Sequence, residues 1–299
     1  MTEHSEEGSF FRSQKFTDWP TVKEALIAKE IGAAFILAPM AMQLRADGVP
    51  CKIVYLGHRD GTALVVGKDS HIHDFSDLRG KTIAVPSRYA NQTLLMYKMM
   101  KEWHMAPDSI ELRELPPPEH PTALLSGSID GYIVGEPFAA KAEMDGFGRV
   151  LYHTKDIWPD FISCVLVVHE DLIERDRALV QELVDGIAKS GKWLDADMEH
   201  RMEAAEVAGK MYYFQDPKLL KYVLSKPVDR VKYTHLLLRK DDFDEIMNLA
   251  VENHVLARPI AFEEYADPSF CHSLEDLDWD LGHLPPVPAD AASTGRPGE

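Results

Sequence analysis

The sequence is poor in the residues that build metal centres, disulfide frameworks and basic surfaces. It has three cysteines, Cys51, Cys164 and Cys271, whose wide spacing matches neither a zinc motif nor a disulfide framework. Lysine and arginine number 32 against 49 aspartates and glutamates, so the net charge is −17. Surfaces for nucleic acid or anionic membranes need clustered basic residues, and this balance argues against both. A small anionic ligand stays compatible, because a local pocket can oppose the field of the whole molecule.

Long apolar runs and catalytic signatures are also missing. No run approaches the roughly 18 apolar residues of a membrane-spanning helix, and the opening MTEHSEEG is too acidic for a signal peptide. The sequence contains no Gly-x-Ser-x-Gly elbow, HExxH motif or dinucleotide fingerprint. Residues 80–82 (GKT) match the end of a phosphate-binding loop, but Phe75 stands where that loop needs glycine. Residues 71–74 (HIHD) lack a distant third ligand. We therefore predict no catalytic residue, metal or cofactor.

What is present is an alternation of helix-like and strand-like segments. Residues 22–31 and 91–103 have helical apolar spacing, and short apolar runs typical of strands cover residues 33–37, 52–56, 62–66, 81–85 and 129–134. This alternation predicts an α/β protein with largely parallel sheets. Residues 171–253 are mostly helical in pattern. Residues 271–299 are predicted to be a C-terminal tail, largely disordered, since their end is proline-rich and has no long apolar run.

An internal repeat is the most informative feature of the sequence. Two similar stretches begin 98 residues apart, and they share five identities: Ala25/Ala123, Leu26/Leu124, Ile31/Ile129, Pro39/Pro137 and Ala41/Ala139. Each copy predicts a helix, a tight turn, a buried strand and a proline that opens a second helix. Two similar lobes would each present the end of a strand and the start of a helix, which is where open α/β sheets bind ligands.

Five segments, taken in their order and spacing, resemble the periplasmic solute-binding proteins of ABC importers in the nitrate/sulfonate/taurine/bicarbonate group. They are DWPTVKEAL (18–26), AAFILAPM (33–40), DLRGKTIAVP (77–86), LLSGSIDGYIVGEPF (124–138) and DIWPDFISCVLVV (156–168). The resemblance covers roughly residues 8–270. It implies a two-lobed type II periplasmic-binding-protein fold with two crossover strands, expected at residues 62–66 and 165–168. One lobe would comprise residues 1–67 and 165–270, and the other residues 68–164.

The resemblance also implies a function. The chain would be a monomeric, non-enzymatic receptor that passes a small anion or organosulfur compound to an ABC permease and its ATPase. It would be periplasmic or membrane-anchored outside the cytoplasm. Members of this group open with a signal peptide, a strand and a helix that have no counterpart before Gly8, so a cytoplasmic location stays open. We also expect a chain extended by an upstream strand and helix to be more stable.

Eleven residues are predicted to contact the ligand. Residues 87–92 follow a strand and open a helix, where free N–H groups form an anion site, and Arg88 can add a bidentate contact. The two tips of the repeat suggest Met40, Glu136 and Phe138, and the resemblance implies contacts at Trp19, Thr62 and Cys164. We predict that Trp19 and the Arg88/Gln92 loop lie on opposite sides of the cleft. The full set is Trp19, Thr21, Met40, Thr62, Ser87, Arg88, Asn91, Gln92, Glu136, Phe138 and Cys164.

Most of these residues have an ordinary structural alternative. Trp19, Met40 and Phe138 also suit core packing. Thr21, Ser87 and Asn91 suit helix capping, Thr62 a turn and Glu136 a salt bridge between lobes. Cys164 stands where nitrate-binding relatives are expected to carry a lysine, so an anion with an organic tail is favoured over bare nitrate.

Two other functions stay open. The same fold is expected for thiamine-pyrimidine synthases and for certain menaquinone-pathway enzymes. The synthases carry a cysteine-rich iron motif, and three scattered cysteines do not supply one. A cytoplasmic ligand sensor is the second alternative, since no export signal is predicted.

Overall fold

A computed structural model describes residues 11–209 and 216–271 of the chain, so the predicted tail lies outside the described residues apart from Cys271. The helices are α1 (Trp19–Ile27), α2 (Ala38–Ala46), α3 (Asn91–Glu102), α4 (His120–Leu125), α5 (Phe138–Met144), α6 (Thr154–Ile157), α7 (Glu170–Arg175), α8 (Arg177–Leu194), α9 (Met198–Val207), α10 (Pro217–Val223), α11 (Lys240–Glu252) and α12 (Phe262–Tyr265). The strands are β1 (Ala33–Ile36), β2 (Cys51–Asp60), β3 (Thr62–Gly67), β4 (Thr82–Val85), β5 (Glu111–Glu114), β6 (Gly131–Gly135), β7 (Gly148–His153), β8 (Ile162–His169) and β9 (Val231–Lys232).

Local sequence signals explain how the first helices begin and end. The carboxylate of Asp18 accepts hydrogen bonds from the backbone N–H and the hydroxyl of Thr21, which caps α1. Pro20 and Pro39 lie in the first turns of α1 and α2, where a missing N–H breaks no helical hydrogen bond. Helix α1 ends at Ile27, whereas the predicted helical segment extends to residue 31. Two residues after its end, Lys29 has a left-handed backbone conformation with φ of 58°.

The strands form two sheets. The first has the order β1-β8-β2-β9, and every neighbouring pair in it is antiparallel. The second has the order β5-β4-β6-β3-β7; β4 runs parallel to β5 and β6, while β3 runs antiparallel to β6 and β7. The prediction of largely parallel sheets is therefore wrong for the first sheet. Strands β1 and β2 do run in the same direction, but β8 inserts between them in the opposite direction and makes both ladders antiparallel.

The chain passes between the two sheets at two points. At the first, Asp60 and Gly61 are consecutive left-handed residues with φ of 58° and 66°, and this bend separates β2 from β3. A side chain at Gly61 would place its Cβ 2.9 Å from Cγ2 of Val231, so the bend needs glycine. The predicted crossover at residues 62–66 thus lies wholly within the second sheet. The chain returns through residues 154–161 and enters the first sheet at β8, which contains the other predicted crossover.

The largest apolar core cluster includes residues from both sheets and from helices α2, α3, α8 and α11. Smaller clusters pack α4 and α5 on the second sheet and bring α9 and α10 together with β9. Among the described residues, no helix combines the length and the apolar character needed to cross a membrane. The core therefore holds the start of α3, the bend at Gly61 and the start of β8 close to one another.

Candidate functional site

The centre of the candidate site is a contact between Gln92 and Thr62. Gln92 lies in the first turn of α3, and Thr62 begins β3 directly after the bend at Gly61. The side-chain nitrogen of Gln92 donates to the hydroxyl of Thr62 at 3.3 Å, and both residues are 2% exposed. The carbonyl of Thr62 accepts a hydrogen bond from the hydroxyl of Thr154 at 3.1 Å. Both passages between the sheets are thereby connected to the start of α3.

The amide oxygen of Gln92 is buried and has no partner among the described residues. Because a hydroxyl both donates and accepts, the Gln92–Thr62 contact survives a 180° rotation of the amide. Gln92 can therefore present either its oxygen or its NH₂ group to a ligand. This adaptability suits a polar contact residue.

Asn91 is held in one orientation. Its NH₂ group donates to the carbonyl of Ile162 at the start of β8. A carbonyl only accepts, so the Asn91 amide cannot rotate without losing this bond. Its oxygen is buried and has no partner among the described residues. Asn91 thus ties α3 to β8 and offers an acceptor.

The loop before α3 supplies the features expected of an anion site. Ser87 is buried; its hydroxyl oxygen accepts from the N–H of Tyr89, and its carbonyl accepts from the hydroxyl of Thr93. Arg88 is exposed, with its guanidinium 5.1 Å from the centre of the Tyr89 ring. Helix α3 has twelve residues and no side-chain cap on its N-terminus. Its first N–H groups have no carbonyl partner within the helix, and Arg88 lies three residues before Asn91 in the sequence.

Glu136, at the tip of the second repeat, forms an ion pair that spans the two sheets. Its carboxylate accepts from Arg230 at 2.8 Å and from the N–H of Ala140 at 2.8 Å, and Arg230 also binds Glu143 at 3.0 Å. Burial raises the pKa of Glu136, and the charge of Arg230 opposes that rise. Gly61 donates its N–H to the carbonyl of Arg230, and its own carbonyl accepts from the N–H of Glu136. The salt-bridge alternative for Glu136 is the contact observed.

One wall near the bend consists of groups that stay neutral at pH 7. Cys164 lies opposite His58 in the β2–β8 ladder, and the His58 ring is 6.0 Å from that of Tyr233. Burial raises the pKa of the Cys164 thiol and of the Tyr233 hydroxyl to about 12 each, and it lowers the pKa of His58 to about 4. This wall therefore carries no positive charge toward an anion.

The remaining predicted residues lie apart from this centre or are occupied. Thr21 is exposed and bound to Asp18. Met40 is 3% exposed in the main core, and Phe138 packs on the core beneath the second sheet. Trp19 packs against the main core, and its buried ring N–H has no partner among the described residues. No hydrogen bond or ring contact within the described ranges links Trp19 to Arg88 or Gln92, so their placement across a cleft stays a prediction.

Sequence reasoning missed His58, Thr154, Arg230 and Tyr233. His58 precedes the predicted turn, and the predicted contact residue at this turn was Thr62. Arg230 and Tyr233 lie in a segment with a helical pattern and no motif, and 94 residues separate Arg230 from Glu136. No local signal in the sequence marks such contacts.

The comparisons with known proteins bear on the family and the fold. A model of the NMT1-like family matches residues 1–209, which is more than half of the chain. The chain belongs to the NMT1-like family. Within the parts of the chain that the structure describes, no group of three His, Cys, Asp or Glu side chains is placed to hold a metal ion.

The chain is similar in sequence to two curated proteins. The nitrate import ATP-binding protein NrtC of Synechocystis is 27% identical over 207 residues, which cover 63% of this chain and 31% of that protein. The taurine-binding periplasmic protein of Escherichia coli is 29% identical over 189 residues, which cover 62% of this chain and 56% of that protein. The chain thus spans about a third to about half of the length of these relatives.

Two solved structures describe the fold. The ligand-binding component of an ABC-type import system from Staphylococcus aureus, with zinc bound, has a TM-score of 0.75 and 27% identity, covering 86% of this chain and 85% of that one. The desulfurization enzyme DSZB has a TM-score of 0.60 at 16% identity, covering 82% and 85%, and shows the fold alone. The predicted two-lobed type II periplasmic-binding-protein fold is confirmed.

Proposed function

We propose that this chain is the substrate-binding component of an ABC-type importer and that it captures a small organic anion, of the sulfonate type, between its two lobes. The observation that carries the proposal is the contact of Gln92 with Thr62 where the two sheets join, directly at the uncapped N-terminus of α3. The relative named for taurine binding supports this class of ligand, and the relative named for nitrate import supports a small anion in general.

The charges near the junction favour an organic anion over bare nitrate. Arg230 binds two carboxylates, Arg59 binds Asp242 at 2.6 Å, and Lys232 lies 3.3 Å from Asp60. These cations are therefore neutralised by the protein itself. The anionic head would rest on the N–H groups of α3 and on Arg88, and the uncharged wall around Cys164 would meet an organic part of the ligand.

The same wall argues for binding rather than catalysis. A thiol with a pKa of about 12 is protonated at pH 7, and a protonated thiol is a poor nucleophile. We therefore propose a non-enzymatic receptor. From the resemblance described above, we also propose that it is monomeric, lies outside the cytoplasm and has an ABC permease and its ATPase as partners. The division into a first lobe of residues 1–67 and 165–270 and a second lobe of residues 68–164 belongs to this proposal.

Titration calorimetry with methanesulfonate, taurine, nitrate and bicarbonate tests the proposal. We expect a sulfonate to bind more tightly than nitrate. Arg88→Ala should weaken sulfonate binding about ten- to a hundredfold, because a charge-assisted contact is lost. Gln92→Ala should also weaken binding, whereas Gln43→Ala should not, since Gln43 bonds Asp47 within α2. The proposal would be contradicted if none of the four anions bound the wild type. It would also be contradicted if Arg88→Ala and Gln92→Ala both bound sulfonate as tightly as the wild type does.

A further inference from the structure

An apolar cavity of about 170 Å³ lies beside the candidate site. Its wall is formed by small and aliphatic side chains at the end of α8, along α9 and on α10, among them Leu194, Ala204, Ala205, Leu220 and Val223. For comparison, an engineered apolar cavity of about 150 Å³ in another protein stays dry and binds benzene. A group of six or seven carbon atoms therefore matches this cavity in size and in polarity.

The cavity adjoins the polar centre at the second repeat tip. Thr62 pairs with Gly135 in the β3–β6 ladder, and adjacent strands lie about 5 Å apart. Glu136 follows Gly135 and lines the cavity together with Pro137. Tyr233 lines it as well, and its ring centre lies 6.0 Å from that of His58. Residues 135–136 therefore connect the lining of the cavity to the Gln92–Thr62 contact.

A charged side chain limits what the cavity can accept. Among the described residues that line it, Glu136 is the charged one, and its carboxylate is held by Arg230 and the N–H of Ala140. A second anionic group placed there would meet a buried carboxylate whose counter-charge is already used. A second anionic group is therefore disfavoured in the cavity.

We infer that this cavity receives the apolar tail of the ligand, so that the preferred substrate is a monoanionic sulfonate with a benzene-sized aryl or alkyl group. This inference rests on the proposed function, since the anionic head would occupy the Arg88 and α3 end of the site. The tail would extend past Gly135 and Glu136 into the space between α9 and α10. The cavity is a specificity-determining element formed mostly by residues outside the repeat that suggested the site.

Ala204→Leu tests the inference, because it fills part of the cavity with three additional carbon atoms. Ala257→Leu is the matched control, since Ala257 is exposed and does not line the cavity. Benzenesulfonate should bind the wild type at least about tenfold more tightly than methanesulfonate. Ala204→Leu should lose this preference and keep its affinity for methanesulfonate, which also shows that the variant is folded. Ala257→Leu should keep both.

The outcomes separate this inference from the proposed function. An unchanged preference in Ala204→Leu, or no preference in the wild type, would overturn the tail cavity. If no sulfonate binds the wild type, the proposed function fails, and benzyl alcohol, an uncharged probe, then decides the cavity alone. Stabilisation of the wild type but not of Ala204→Leu by benzyl alcohol would support the cavity. Equal stabilisation of both, or of neither, would overturn it.

Discussion

Removing the charge of Arg230 should leave a buried carboxylate without its partner. The side chains of Arg230 and Glu136 are 2% and 6% exposed, and that of Glu143 is 29% exposed. Breaking a buried ion pair by removing one partner costs about 3–5 kcal/mol, chiefly because the remaining charge stays desolvated. Arg230→Met keeps most of the side-chain volume, so we expect a loss of unfolding free energy in this range at pH 7.5.

The loss should depend on pH in a defined direction. Burial raises the pKa of Glu136, and Arg230 counteracts that rise. Without Arg230 the pKa should rise further, so the native state keeps a proton that the unfolded chain releases above its ordinary value of 4.5. Stability then falls as pH increases through this window. Arg230→Met should therefore be less destabilised at pH 5 than at pH 7.5.

Urea unfolding of the wild type, Arg230→Met, Glu136→Gln and the double variant measures the coupling at both pH values. The double variant should be more stable than the sum of the single losses predicts, by at least about 1.5 kcal/mol at pH 7.5. Arg113→Met, which breaks an exposed pair with Glu111, is the control and should change stability little. Additive losses that are also independent of pH would refute the argument.

Two further perturbations test the packing around the site. Gly191→Ala would place a Cβ 2.2 Å from the carbonyl oxygen of Tyr233. Although a glycine-to-alanine change usually stabilises a helix, this one should lower the unfolding free energy by about 1–3 kcal/mol. An unchanged or higher melting temperature would show that α8 shifts freely. The pKa of His58 is about 4 in the native state against 6.5 in an exposed histidine, so stability should be lost as pH falls between these values, by about 3 kcal/mol at most. His58→Gln should remove that part of the acid sensitivity in unfolding measured at pH 5 and pH 7, and an identical pH dependence in both proteins would contradict it.

Short-range signals in the sequence predicted much of the local structure. The apolar runs at residues 33–37 and 62–66 nearly coincide with β1 and β3, and the paired prolines begin or directly precede α2 and α5. The sequence favoured Thr21 as the cap of α1, whereas its neighbour Asp18 supplies the cap; the bend at Gly61 follows from neighbouring residues. Such features depend on contacts a few residues apart, so local pattern and backbone preference are enough to determine them.

The tertiary structure alone decided how these elements combine. The alternation of helices and strands in the sequence is consistent with β1 and β2 running in the same direction. Only long-range pairing inserts β8 between them and makes the first sheet antiparallel. The sequence singled out Gln92 and Glu136, yet their contacts to Thr62 and Arg230 arise from residues 30 and 94 positions away. Burial in the folded chain likewise lowers the pKa of His58 and raises that of Cys164. The physical reason is that strand pairing, desolvation and ion pairing depend on distances in space, which local sequence patterns do not contain.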